Sequence, residues 1–299
     1  MSLVVVGSVA FDDVETRYGR RNPVLGGSAA YFSVVASNFT AVNMVAVVGD
    51  DFPDEHVDFF KSRSIDIRGL ERKPGKTFFW SGKYADDFST RTTLATHLNV
   101  FADFDPVLPE SYRSPDFLFL ANIHPALQLK VLNMVEGKPF VAGDTMNLWI
   151  DAEPVLLKEL ISRVDLLTIN DEEVRLLTGE FNLIKAGRMI QEMGPKYLIL
   201  KKGEHGALLF LEDSLFFTPA IPLEGFVDPT GAGDSFAGGF MGHLARKGTV
   251  DAQTLKEAMF YGAVVASFTV EDYSLERHRT VDYAQIEERF QQLVDFTTL

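Results

Sequence analysis

The sequence predicts an α/β protein with a mainly parallel central sheet covered by helices on both faces. Three observations carry this expectation. Short β-branched apolar runs recur along the chain, helix-compatible segments separate them, and hydrophobic residues (46%) and charged residues (23%) stand in an ordinary globular balance. At 299 residues the chain is long enough to bury a large core in one domain.

The run "LVVVGS" reads as a buried strand stopped by Gly7. A loop follows, then "GGSAAYFSVVAS" as a helix and "AVNMVAVVGD" as a second strand. The same order recurs in "PDFLFLAN", "PALQLKVLNMV", "KPFVAGD", "EPVLLKELI", "RVDLLTIN", "DEEVRLLTG" and "KYLILKKG". One stretch breaks it. From Lys76 to Asn99 the chain is rich in Thr and aromatic residues around a turn at Asp86-Asp87, which reads as paired strands outside the main sheet, either a flap over it or an edge hairpin. The last third reads as helical through "AGGFMGHLAR", "LKEAMFYGAVVASF" and "YAQIEERFQQLV".

A net charge of −14 argues against nucleic acid and anionic membranes as partners. The absence of cysteine excludes disulfides, thiolate metal sites and a cysteine nucleophile; with no signal-like or membrane-length run, a cytoplasmic location is the expectation. The six histidines show no paired spacing typical of zinc.

The chemistry concentrates in "GFVDPTGAGDSFAGGFMGHL", which begins at Gly225. In an open α/β sheet ligands bind where strands end and helices begin. Gly231 and Gly233 let the backbone aim its N–H groups at one point on a helix start, where aligned peptide dipoles favour an anion. Asp234 stands in the same first turn and would repel that anion unless it had a task. Accepting a proton from a substrate hydroxyl during phosphoryl transfer is such a task, and the helix dipole is expected to keep Asp234 ionised as a weak base. The competing reading is a favourable first-turn acid beside glycines that only pack a helix closely. A Walker loop is absent, and Phe236 stands where a Rossmann fingerprint needs glycine.

"DPTGAGDSFAGGF" resembles the carboxy-terminal signature of the ribokinase-like (PfkB) carbohydrate kinases, and "GGSAAYFSVVAS" resembles their amino-terminal di-glycine signature. The order of elements is similar over nearly the whole chain. The resemblance implies a single ribokinase-like domain over residues 1–299, three-layered α/β/α, with a β lid formed mainly by residues 70–100. It implies ATP and Mg²⁺ as cofactors and phosphorylation of a hydroxyl group. Position by position, Asp234 would be the catalytic base and the backbone of Gly231, Ala232 and Gly233 the anion hole. "NDEE" matches the N-x-x-E pattern, so Asn170 and Glu173 would organise Mg²⁺; a helix capping box by the same two residues is compatible with that role. In "LILKKGEHGA", Lys201 would approach ATP and Gly203 would permit close passage of the chain, or the lysines are solvated surface charge. Asp228 and Thr230 match positions that help bind a monovalent cation such as K⁺ in several relatives. Where many relatives carry a Thr-Arg-x-Gly-Ala-like loop, this chain has "TVEDYSLER", which leaves K⁺ and the adenine pocket open.

For the acceptor, the resemblance makes Asp12 the grip on substrate hydroxyls, with Gly26 and Gly27 letting the substrate lie against the backbone. Ala10 and Tyr31 replace two asparagines that contact the sugar in ribokinase-type sequences, which makes ribose a poor acceptor. Tyr31 either stacks on a sugar or base or fills core. A small sugar is the leading expectation and a nucleoside the second; a non-catalytic nucleotide or metabolite sensor is the reading from another class. Arg17, Arg20 and Arg21 lie in a loop that is either solvated or a claw for a phosphorylated acceptor. Pairing of exposed lid strands between copies suggests a homodimer.

Overall fold

Alternation along the first strand, β1 (Leu3–Val6), sets up the three layers. Leu3 and Val5 face one way into one apolar cluster, while Val4 and Val6 face the other way into a second. The computed structural model describes residues 1–88 and 90–298. After β1 come β2 (Ala10–Thr16), β3 (Gly19–Gly26), α1 (Ser28–Ala36), β4 (Val42–Gly49), α2 (Asp54–Ser62) and β5 (Ile65–Lys73). Next are β6 (Phe78–Tyr84), β7 (Arg91–His97), β8 (Phe117–Leu120), α3 (Pro125–Met134), β9 (Phe140–Asp144), α4 (Asn147–Ala152) and α5 (Pro154–Ile161). The chain continues through β10 (Leu166–Asn170), α6 (Asp171–Thr178), α7 (Leu183–Glu192), β11 (Tyr197–Lys201), β12 (Ala207–Phe210) and β13 (Leu215–Thr218), and ends in α8 (Ala232–Lys247), α9 (Ala252–Thr269) and α10 (Tyr283–Thr297).

The large sheet has nine strands in the order β13-β12-β11-β10-β9-β8-β1-β4-β5. It is parallel from β5 to β11; β12 and β13 add an antiparallel edge. Buried residues of α1, α8 and α9 join Val5, Met44 and Phe119 on one face, and those of α3, α5 and α7 join Val4, Leu118 and Leu120 on the other. The fold class expected from the sequence is the one observed. The small residues of α8 serve this packing, since a Cβ on Gly238 would stand 2.6 Å from the Phe32 carbonyl oxygen of α1.

A second sheet, in the order β3-β2-β6-β7, stands beside the first. Its β6 and β7 are the paired strands expected between Lys76 and Asn99. The other half was not expected: residues 10–26, including the "RYGRRNP" stretch read as a loop, form the hairpin β2–β3. The second sheet is therefore broader than the expected span of residues 70–100, and residues 70–73 of that span belong instead to β5 in the large sheet. The hairpin escaped the sequence reading because β3, "GRRNPVLG", carries charge, Pro and no clean alternation; it is exposed over most of its length.

Parallel strands β9, β10 and β11 end on one edge, with Thr168 level with Asp144 and Asn170 level with Lys201. The start of α8 and the lid sheet converge on that edge.

Candidate active site

At the start of α8, Gly231 takes a left-handed conformation (φ 76°). A side chain there would be strained, and its Cβ would meet the Tyr31 ring at 2.3 Å. The turn closes with Ala232 N–H donating to the Pro229 carbonyl at 3.2 Å and Ser235 N–H to the Gly231 carbonyl at 2.8 Å. The Ala232 N–H, one of the three expected in an anion cradle, is thus engaged within the turn. Gly233 lies against Lys201, whose Nζ would be 3.2 Å from a Cβ at that position.

Lys201, at the end of β11, is mostly buried and pairs with Asp144 at 3.3 Å. Burial works against its charge, but Asp144, Glu173 and Asp234 outweigh it and hold the ammonium above its ordinary pKa. This lysine is not solvated surface charge. Asp144, at the end of β9, also accepts a 2.7 Å bond from the Thr168 hydroxyl. The sequence reading missed Asp144, although "KPFVAGD" ends a buried strand on the same edge as "LLTIN" and "LILK", which was the available signal. Gly203 lies exposed in the turn after β11 with open space above it, room for a ligand to pass.

Asp234 is partly buried in the first turn of α8. Burial first, then the Asp144 carboxylate, push its carboxyl up to about 7, with Lys201 opposing. The expectation of an ionised, weak base therefore needs correction: Lys201 does not overcome desolvation, and the carboxyl is raised toward neutrality, where a general base is effective.

Asn170 and Glu173 form a complete capping box on α6. The Asn170 side chain accepts from the N–H groups of Glu172 and Glu173, and Glu173 Oε2 accepts from the Asn170 N–H at 2.9 Å. Glu173 is buried, which pushes its carboxyl up to about 7 against the pull of Lys201. Asp228 stands with a different set of groups. It is fully buried, with one oxygen accepting from Thr230 N–H at 2.9 Å and the other from Ser274 N–H at 3.3 Å. Burial raises its pKa and these bonds oppose the rise. Among the described residues no group of three or more His, Asp or Glu side chains is arranged to hold a metal.

Asp12 projects from β2 of the lid sheet and is 4% exposed. Gly26, opposite on β3, leaves it room, since a Cβ there would stand 2.0 Å from Asp12 Oδ2. Gly27 begins α1 at φ 97°, and a Cβ would stand 2.5 Å from the Ser8 carbonyl oxygen. Burial, with the fields of Asp228 and Asp234, pushes the Asp12 carboxyl up to about 8, opposed by Arg91. The lid acid and the helix-start acid thus belong to one electrostatic site. Arg91, at the start of β7, also acts on Glu173 and stacks over Trp80 at 5.3 Å. No sequence pattern had singled it out.

Tyr31 is 1% exposed beneath Gly231, so its ring faces are covered and it fills core. Its buried hydroxyl faces Ser274 without a well-formed hydrogen bond. The three arginines of the β2–β3 hairpin are engaged: Arg20 chelates Asp13, Arg21 lies over Tyr273 at 5.0 Å, and Arg17 reaches the Asp86 carbonyl at 3.4 Å. They form no claw beside Asp12. A hollow of about 500 Å³ bounded by Phe11, Phe79 and His97 lies apart from these acids, none of which lines it.

The chain is similar to known proteins over nearly all of its length. The model of the pfkB family carbohydrate kinases matches residues 2–278. The cytidine kinase of Thermococcus kodakarensis is 32% identical over 259 residues, covering 82% of this chain and 89% of that protein. The nucleoside kinase of Methanothermobacter thermautotrophicus is 26% identical over 306 residues, covering 90% and 89%. Among solved structures, the nucleoside kinase of Methanocaldococcus jannaschii superposes with a TM-score of 0.78 at 22% identity, covering 98% of this chain and 99% of that one. The aminoimidazole riboside kinase of Salmonella enterica, complexed with aminoimidazole riboside and an ATP analogue, gives a TM-score of 0.77 at 20% identity, covering 97% and 100%. By this family match and these relatives, joined to the ribokinase fold, the chain belongs to the pfkB family of carbohydrate kinases, enzymes that transfer phosphate to a hydroxyl group.

Proposed function

We propose that the protein is an ATP-dependent nucleoside kinase that phosphorylates a sugar hydroxyl of its acceptor. The observation that carries the reading is the meeting of Asp12 and Asp234 in one site, one from the second sheet and one from the helix start, where the field of Asp234 raises the Asp12 carboxyl and also acts on Lys201. Asp12, protonated for much of the time at neutral pH, both donates to and accepts from vicinal hydroxyls. Asp234 takes the proton of the attacking hydroxyl as the new oxygen–phosphorus bond forms and the bond to ADP breaks. The N–H groups of Gly231 and Gly233, with the dipole of α8, stabilise the charge on the phosphoryl in transit. Lys201, fixed by Asp144, holds a positive charge against the phosphates.

The donor set suits magnesium carried by a nucleotide. Among the described residues no protein cage converges, and a hard cation that keeps its waters needs only one or two carboxylates besides phosphate oxygens. Glu173, with Asn170 holding its orientation, is the group that would meet those waters; bound Mg²⁺ would offset the negative charge on the phosphates. Asp228 would face K⁺ only if its oxygens shared it with Thr230 and Ser274.

The sequence placed a sugar before a nucleoside. Likeness to cytidine and nucleoside kinases, together with Trp80 directly across the ladder from Asp12, supports the reverse order. The test is ADP release from Mg²⁺-ATP with cytidine, uridine and adenosine against ribose, deoxyribose and 2-dehydro-3-deoxygluconate. A nucleoside turned over with kcat/KM at least about 100-fold above every free sugar is expected. A sugar that outpaces every nucleoside overturns the acceptor, and tight binding without turnover points to a sensor.

A further inference from the structure

We propose that Tyr84 is a positioning residue for the transfer step, bracing the anion-hole turn through Thr230 while the lid lies over the crevice. The proposal rests on the phosphoryl-transfer reading of the Gly231–Gly233 turn. Tyr84 ends β6, and its hydroxyl meets the Thr230 hydroxyl at 3.1 Å. Thr230 immediately precedes Gly231, and its own N–H is held by Asp228 at 2.9 Å. The residue that leads into the cradle is thus pinned from below by a buried carboxylate and from above by the lid.

A second contact joins the same two segments. Phe88, in the turn beyond β6, lies 4.3 Å from the Phe226 ring, which enters the loop that becomes the anion hole. Tyr84 packs with Val14, Trp80, Tyr273 and Val227 in a small apolar cluster between lid and body. A tyrosine that served this cluster by packing alone would need no hydroxyl. The one found here is buried and spans from lid to turn, where leaving it unmade is costly. When the lid lifts, Thr230 loses its upper partner and the N–H groups of Gly231 and Gly233 lose a fixed aim. Closure over an acceptor and assembly of the cradle become one event, a coupling that favours transfer to the acceptor over transfer to water.

The experiment is a double-mutant cycle on the full-length enzyme with Tyr84→Phe, Thr230→Val and the pair, using Mg²⁺-ATP and the acceptor with the highest turnover. Each single change is expected to lower kcat about 3- to 10-fold, the range of one lost hydrogen bond, with KM for ATP within about twofold. The double variant should be no slower than the slower single, and Thr230→Ser, which keeps the hydroxyl, should recover most of the Thr230→Val loss. Unchanged kcat in Tyr84→Phe, or losses that multiply in the double variant, overturns the proposal. If Thr230→Val fails to fold, Tyr84→Phe with and without Thr230→Ala decides: a kcat loss that vanishes in the Thr230→Ala background supports the bond, and equal losses in both backgrounds, or no loss in either, remove it. Full turnover in Asp234→Asn would instead sink the underlying transfer reading, independently of Tyr84.

Discussion

Replacing Asp234 with asparagine separates its chemical task from its structural cost. The side chain keeps its shape and loses the ability to take a proton, so kcat is expected to fall by about 10²- to 10⁴-fold while ATP still binds. Stability should move the other way. The folded carboxyl sits at about 7 against an ordinary 3.8, so the native state holds a proton that the unfolded chain has released across that interval. Wild-type stability therefore falls as pH rises from about 4 to about 7, and the asparagine variant escapes this loss. Three pH units at about 1.4 kcal/mol each set a ceiling of about 4 kcal/mol by pH 8. Partial solvent contact trims it to roughly 1–4 kcal/mol. The assays are steady-state ADP release and thermal melting of both proteins at pH 5 and pH 8. The variant should melt several degrees higher at pH 8 with less than half of that difference at pH 5, and wild-type kcat should rise through about pH 7. Wild-type turnover in the variant refutes the base assignment, and a lower melting temperature at pH 8 refutes the desolvation argument.

Other expectations follow from the same geometry. Asp12→Asn should raise KM for the acceptor at least 10-fold with KM for ATP little changed, and should stabilise the fold increasingly as pH rises from about 4 to about 8, where the native wild-type carboxyl holds a proton that the unfolded chain has released; competition kinetics and melts report both. Gly231→Ala should cost about 1–3 kcal/mol from backbone strain and its collision with the Tyr31 ring, and should lower kcat more than KM; denaturant titration and kinetics check it. The edge strand β7 is exposed along nearly all its length, so copies should pair through it into a dimer, and sedimentation showing only monomer at high concentration would exclude that pairing.

The legible parts of the molecule were those governed by local pattern. Short apolar strands and their helices could be read because each buries a continuous face, and the glycine-rich turn could be read because positive φ and close approach leave glycine little competition. The hairpin β2–β3 could not, since its pairing with β6 depends on partners 68 residues away rather than on its own alternation. Asp144 and Arg91 were missed for a related reason: a lone acid or base at a strand end gains meaning only when neighbouring strands bring Lys201, Glu173 and Asp12 beside it. The raised pKa of Asp234 was not legible because the burial behind it is made by segments far along the chain.

The tyrosine that touches the β2–β3 hairpin gives the enzyme an order of assembly. Tyr273 bonds to the Thr16 hydroxyl at 2.9 Å and to the Gly19 carbonyl at 2.8 Å, while Ser274 beside it bonds to Asp228. A contact across 257 residues is among the last a growing polypeptide can make, because the loop it closes is nearly the whole chain. A ribosome-bound chain halted before Tyr273 would carry Asp12, Lys201 and Asp234 without this tether, so phosphotransferase competence should appear only as synthesis nears its end.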